Sequence, residues 1–131
     1  MAGTPKRNRP IEKEDLMRYA LLICSDETAM EAFSPEEAQA SMQKYLAFSE
    51  EMGSRGVLQG GERLRPTTDA TTVRVRDGEI VTSDGPFAET KEQIGGFYLV
   101  DCKDLDEAIE VASNIPGAQV GTIEVRPIWE M

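Results

Sequence analysis

The chain contains no histidine among its 131 residues. That removes the one side chain whose ordinary pKa lies near neutrality. Proton transfer would fall to carboxylates, Tyr, Lys, Cys or water, which need large pKa shifts in a dry site to act near pH 7. Cysteine is scarce as well: Cys24 and Cys102 are the only two. With no close-spaced pair and no histidine the ligand count is too low for zinc, and neither a metal nor a cofactor is expected. Cations are outnumbered, 14 Lys and Arg against 24 Asp and Glu, for a net charge of −10. That balance favours solubility and disfavours nucleic acid, whose phosphates need compensating cations. No apolar run approaches the roughly 20 residues that cross a bilayer, so no membrane partner is expected. The first sixteen residues lack the apolar centre of a secretory signal. The expected compartment is the reducing cytosol, with both thiols free.

What remains is a chain of single-domain length with 40% apolar residues, enough for one core. Residues 1–16 carry Pro5, Pro10 and four basic against three acidic residues, and they read as a flexible extension. Met17 opens the folded pattern, which gives one domain over residues 17–131. Residues 17–24, MRYALLIC, read as a buried strand, and 25–33 as a polar loop. Ser34-Pro35-Glu36-Glu37 is a capping-box helix start. Ala38, Met42, Tyr45, Leu46, Ser49 and Met52 form that helix's expected packing stripe, and Gly53 and Gly56 end it. A strand follows over 57–64. Residues 71–76 and 79–83 flank Asp77-Gly78, a pair suited to a tight hairpin turn. Residues 96–102 read as a strand. Asp104 caps a second helix whose stripe is Leu105, Ala108, Ile109, Ala112 and Ile115, and Pro116-Gly117 stops it. The last strand is expected over 120–129.

With the added hairpin removed, the order is βαββαβ, a ferredoxin-like α+β fold. Right-handed crossovers put both helices on one face of the sheet. Yet Tyr19, Leu21 and Ile23 alternate with Ala20, Leu22 and Cys24, and Phe97 and Leu99 alternate with Tyr98 and Val100, so both faces are apolar. Two helices cover one face. A second copy of the sheet is the simplest cover for the other, so the expected particle is a face-to-face homodimer, a dimeric α+β barrel. Cys24 and Cys102 end two strands expected to run as central, parallel neighbours. The two thiols are then either a redox pair or two buried sulfurs.

Chemistry is expected around the turn Asp84-Gly85-Pro86. Asp84 is the candidate catalytic residue, as an acid, base or ligand acceptor at the mouth of the sheet. The alternative is a turn aspartate that accepts from backbone amides. Phe87 is expected to anchor the loop in the core. Glu89, Lys91 and Glu92 are either a polar constellation over a pocket or a solvated helical turn, and Gly95-Gly96 either approaches a ligand or enters a strand. Arg63, Arg74 and Arg126 lie in expected strands, where they could hold a small anionic ligand bidentately. The rival for the arginines is an intersubunit ion pair with Glu62 or Glu124. Tyr98 either adds a hydroxyl to the pocket or packs in the core.

The stretch DGPFAETKEQIGGFYLV over residues 84–100 resembles the signature of the YCII-related family, also called the DGPF-domain family. Met17-Arg18-Tyr19, Gly61-Glu62-Arg63-Leu64 with Pro66, Thr72-Val73-Arg74 and Glu124-Val125-Arg126-Pro127 extend the resemblance over nearly all of residues 17–129. The resemblance implies the same dimeric barrel in a bacterial protein. It also implies an accessory role beside extracytoplasmic-function sigma factors. Some branches carry a histidine paired with an aspartate, and this chain cannot form that dyad. Three readings of function follow. One is a small enzyme with Asp84 as proton carrier, another a non-catalytic ligand-binding or regulatory dimer, and the third a purely structural oligomer.

Overall fold

A computed structural model of the chain describes residues 12 and 15–130, so the extension expected over residues 1–16 lies almost wholly outside the described residues. The elements run β1 (Met17–Ser25), α1 (Glu27–Glu31), α2 (Pro35–Ser54), β2 (Leu58–Arg63), β3 (Thr71–Arg76), β4 (Glu79–Asp84), β5 (Gln93–Cys102), α3 (Leu105–Ser113) and β6 (Thr122–Pro127). Short 3₁₀ turns occupy Thr67–Asp69 and Pro116–Gln119. Among the described residues no helix is long and apolar enough to cross a membrane.

Four strands form one sheet in the order β2-β5-β1-β6, while β3 and β4 form a separate two-stranded ribbon. This is the ferredoxin-like α+β arrangement. Every pair in the main sheet is antiparallel. The expected parallel pairing of the two central strands is therefore corrected. A crossover returns β2 parallel to β1, and β5, which pairs directly with β2, must then run against both. Met17 faces Cys102 across the β1–β5 ladder and Cys24 faces Ile94, so the cysteines sit at opposite ends of β1. Seven residues of strand separate those ends by roughly 23 Å, and no redox pair forms.

Both long helices start where their caps predict. Ser34 Oγ accepts from the Glu37 amide at 3.1 Å, and Glu37 Oε1 accepts from the Ser34 amide at 3.0 Å. Asp104 Oδ1 accepts from the Glu107 amide at 2.9 Å. Alternation along the strands sends Tyr19, Leu21, Val100 and Cys102 toward these helices, where they pack with Phe48, Met52, Val111 and Ile115. The helix stripes are rotated from expectation: Met42 and Leu46 are exposed, and Phe48 takes their place. In α3 Leu105 and Ile109 are half-exposed and Val111 is buried instead. Arg55 caps α2 and reaches Glu110 of α3 at 2.6 Å, tying the two helices together.

The opposite sheet face carries Ala20, Leu22, Phe97 and Leu99, all half-buried. Among the described residues neither α2 nor α3 reaches it. Asp101 projects on the same side and is 8% exposed, and its Oδ1 has no hydrogen-bond partner among the described residues.

The close approach of β2 to β5 depends on glycine. A Cβ at Gly61 would lie 2.6 Å from the Phe97 carbonyl oxygen and 2.7 Å from the Tyr98 ring, and one at Gly96 would lie 2.9 Å from the Glu62 carbonyl oxygen.

Candidate functional site

The signature turn hangs from the root of the ribbon. Asp84 closes β4 opposite Thr71. Gly85 follows at φ +98°, a left-handed conformation that favours glycine. Its amide donates to the Ala70 carbonyl at 2.8 Å, and its own carbonyl accepts from Thr72 Oγ1 at 2.8 Å. The turn is thus fastened to β3 by backbone and hydroxyl. The Asp84 carboxylate has no hydrogen bond or ion pair among the described residues, so it does not cap the turn.

Phe87 is 78% exposed, which corrects its expected role as a core anchor. The Arg74 guanidinium lies 5.2 Å from its ring centroid, and this cation–π contact holds the ring on the ribbon's polar face. Residues 88–92 contain bends at 88, 91 and 92 and no helical turn. They are folded by side chains: Gln93 Nε2 donates to the Ala88 and Thr90 carbonyls at 3.0 and 3.1 Å, and Thr90 Oγ1 donates to the Glu92 carbonyl at 2.6 Å.

Between this loop, α1 and the Thr67–Asp69 turn lies an open cleft of about 330 Å³. Glu27, Thr28, Thr67, Pro86, Glu89 and Lys91 are among its walls. Segment 25–33 was expected as a polar loop. It contains α1 because Asp26 caps it, accepting from the Thr28 amide at 3.0 Å and the Thr28 hydroxyl at 2.6 Å. Those bonds hold the Asp26 carboxyl below the usual carboxylate range, with the Thr28 hydroxyl the largest cause. Glu27 spans the cleft floor. Its Oε2 accepts from the Thr67 amide at 2.9 Å, and its Oε1 accepts a very short bond from Thr67 Oγ1.

The residues singled out from the sequence stand around the fold in separate places. Asp84 is at the ribbon root, and Arg74 is on the ribbon over Phe87. Arg63 ends β2 opposite Gly96. Tyr98 lies in the core, its ring 5.0 Å from that of Phe48 and its hydroxyl 3.5 Å from Ser49 Oγ. Arg126 pairs with Glu124 on β6. None of the five lines the cleft, whereas Glu89 and Lys91 do. Glu27 and Thr67 were missed. The signal for Glu27 was the N-cap order Asp26-Glu27-Thr28, and Thr67 had no local signal, because its partner lies forty residues away.

The two thiols are poor nucleophiles. Burial pushes Cys102 up to about 11, and burial also raises Cys24. Among the described residues no group of three or more Cys, Asp or Glu side chains is arranged to hold a metal ion.

The family model of the YCII-related domain matches residues 17–131. An uncharacterised protein of Rhizobium meliloti (strain 1021) is 45% identical over 114 residues, covering 86% of this chain and 92% of that protein. The signature turn, the antiparallel sheet and this match together assign the chain: it belongs to the YCII-related family.

Proposed function

We propose that this protein is a homodimer that binds a small polar molecule in the cleft beside its signature turn, and that it acts by binding and not by catalysis. The observation that carries the reading is the cleft itself. At about 330 Å³ it reaches the size at which small-ligand sites begin. Its walls carry threonine hydroxyls, carboxylates and one ammonium, a donor and acceptor set suited to a ligand with hydroxyl or amino groups.

Two features favour binding over turnover. A general base must be free to take a proton. Asp26 and Glu27, the carboxylates at the α1 end, are already engaged as acceptors by Thr28 and Thr67. The Thr28 hydroxyl and amide moreover lower the Asp26 carboxyl from its ordinary value, which makes it a weaker base. The enzymatic alternative rests on Asp84, which is exposed at the ribbon root and does not line the cleft. The arginines expected to hold an anion lie on three different elements, which favours the cleft over an arginine-built site.

The dimer reading is supported by the uncovered sheet face. Leu22, Phe97 and Leu99 form an apolar surface there, and buried Asp101 has an oxygen without a donor. A second copy laid on this face would exclude water from the first and bring donors to the second.

The test is a thermal-shift screen of polyols, small amines and small carboxylates on the wild type, Lys91→Ala and Asp84→Asn. The expected result is a polyol or amine that stabilises the wild type and Asp84→Asn but not Lys91→Ala. Stabilisation by carboxylates alone, or by nothing in the panel, would count against this cleft.

A further inference from the structure

We propose that the β3–β4 ribbon is a clasp, whose apolar face lies on a second copy of this chain in the dimer proposed above. The register sets the composition of each ribbon face. Val73 pairs with Thr82, Val75 with Ile80, and Thr71 with Asp84. Alternation therefore gathers Val73, Val75, Ile80 and Thr82 on one face, with Asp84 at its root. The other face carries Arg74, Arg76 and Glu79 with Val81 and Ser83.

Nothing among the described residues covers the first face. Val73 and Val75 are 59% exposed and Ile80 is 75% exposed. A two-stranded hairpin alone in water is marginal, and it persists when one face is packed. This ribbon is nonetheless fully paired from root to tip. Asp77 and Gly78 close it at φ 52° and 79°, and Gly85 fastens its root to Ala70 and Thr72. It is a formed element of about 20 Å reach, with four β-branched side chains and no surface of its own to place them on.

The occupant follows from area. The chain exposes 9780 Å². Residues 1–16, counted as fully unfolded chain, account for at most about 2,600 Å² of that. The remainder, about 7,200 Å², exceeds by about 1,000 Å² what a compact domain of its mass exposes. An excess of that size matches one partner's share of a stable protein interface, about 800 Å². On the ribbon's other face Arg74 already lies over the Phe87 ring and Arg76 donates to the Val75 carbonyl, so the apolar face is the one left to dock. Because Asp84 stands on the docking face and Gly85 on the cleft wall, closing the clasp also braces the signature turn.

The test uses sedimentation velocity of the full chain from nanomolar to micromolar concentration. The variants are Val75→Glu/Ile80→Glu on the docking face, Val81→Glu on the opposite ribbon face, and Leu22→Glu on the open sheet face. The expected result is a wild-type dimer that Val75→Glu/Ile80→Glu weakens by about 100-fold or more, the scale of losing two buried interface side chains. Val81→Glu should change it by less than about 5-fold, as expected of a side chain that anchors nothing. Circular dichroism of the double variant should stay native, since the ribbon pairs only with itself. Wild-type dimerisation by the double variant, or equal weakening by Val81→Glu, overturns the clasp. If Leu22→Glu still dissociates that dimer, the dimer reading survives alone. A wild-type monomer at micromolar concentration overturns both. Hydrogen exchange gives a readout free of substitutions: the ribbon amides should become protected as concentration crosses the dimerisation range, and unchanged protection would overturn the clasp.

Discussion

Glu27 and Thr67 are joined by two hydrogen bonds, one to the backbone amide and one to the hydroxyl, and this pair closes the floor of the cleft. It is the link between α1 and the segment that enters the ribbon. A hydrogen bond to a charged acceptor contributes about 1.5–3 kcal/mol. Thr67→Val keeps the shape and the amide bond but removes the hydroxyl. It should lower stability by about 1–2 kcal/mol in urea. Glu27→Gln, which keeps the acceptor oxygen but discards the charge, should cost less. Equal losses in the two variants would argue that the carboxylate charge holds the floor as much as the hydroxyl does.

The capping box of α2 gives a second expectation. Ser34→Ala removes the acceptor for the Glu37 amide and should cost about 1 kcal/mol. Glu37→Ala removes the reciprocal bond. A double-mutant cycle should return a smaller loss for the pair than the sum of the single losses, because each bond fixes the geometry of the other.

Glycine spacing between β2 and β5 predicts a sharp contrast between neighbours. Gly61→Ala drives a Cβ against the Phe97 carbonyl and the Tyr98 ring, so it should destabilise by about 1–3 kcal/mol. A Cβ at Gly60 meets nothing within 4 Å. Gly60→Ala should be neutral or stabilise by up to about 1 kcal/mol through the unfolded chain. Urea melts of the two variants decide this, and a large loss at Gly60 would contradict the strand spacing.

The buried Cys102 predicts alkaline sensitivity. Its thiol is raised from 9.0 to about 11, so the folded state keeps its proton after the unfolded state has released it. The stabilisation is complete below pH 9 and is lost as pH rises toward 11, by up to about 3 kcal/mol. Tyr19, also raised by burial, adds in the same direction at higher pH. Cys102→Ala should flatten the fall of stability between pH 9 and 11, whatever it costs at pH 7. An unchanged slope would assign the effect elsewhere.

The cysteines should also react independently. Cys102 is fully buried and Cys24 is half-buried at the far end of β1. A thiol reagent at pH 8 should label Cys24 in the native protein and Cys102 only on unfolding. Oxidation should give no intrachain disulfide, because the Cα atoms lie far beyond bridging distance.

Much of the frame was legible from residue order. The Ser34 and Asp104 caps, the Asp77-Gly78 turn and the two-sided apolar strands are local signals, and each falls where the structure has it. Pairing direction and helix rotation were harder to read. Cys24 and Cys102 were expected side by side because both end strands, but ends coincide only when strands run parallel. Met42 and Leu46 fit the helical period as well as Phe48 does, and only the position of α2 over the sheet decides which are buried. The cleft was the least legible part. One wall is the signature loop, which sequence marks clearly, and the other is Glu27 joined to Thr67 across forty residues, which no spacing rule connects.

The ribbon's ladder is self-contained: each of its strand hydrogen-bonds pairs β3 with β4, and the main sheet closes without it. Residues 72–83 can therefore vary in sequence, or be exchanged between relatives, with little penalty to the domain beneath. If the proposed clasp forms, exchanging this finger alone would change which chains pair while the body beneath stayed the same.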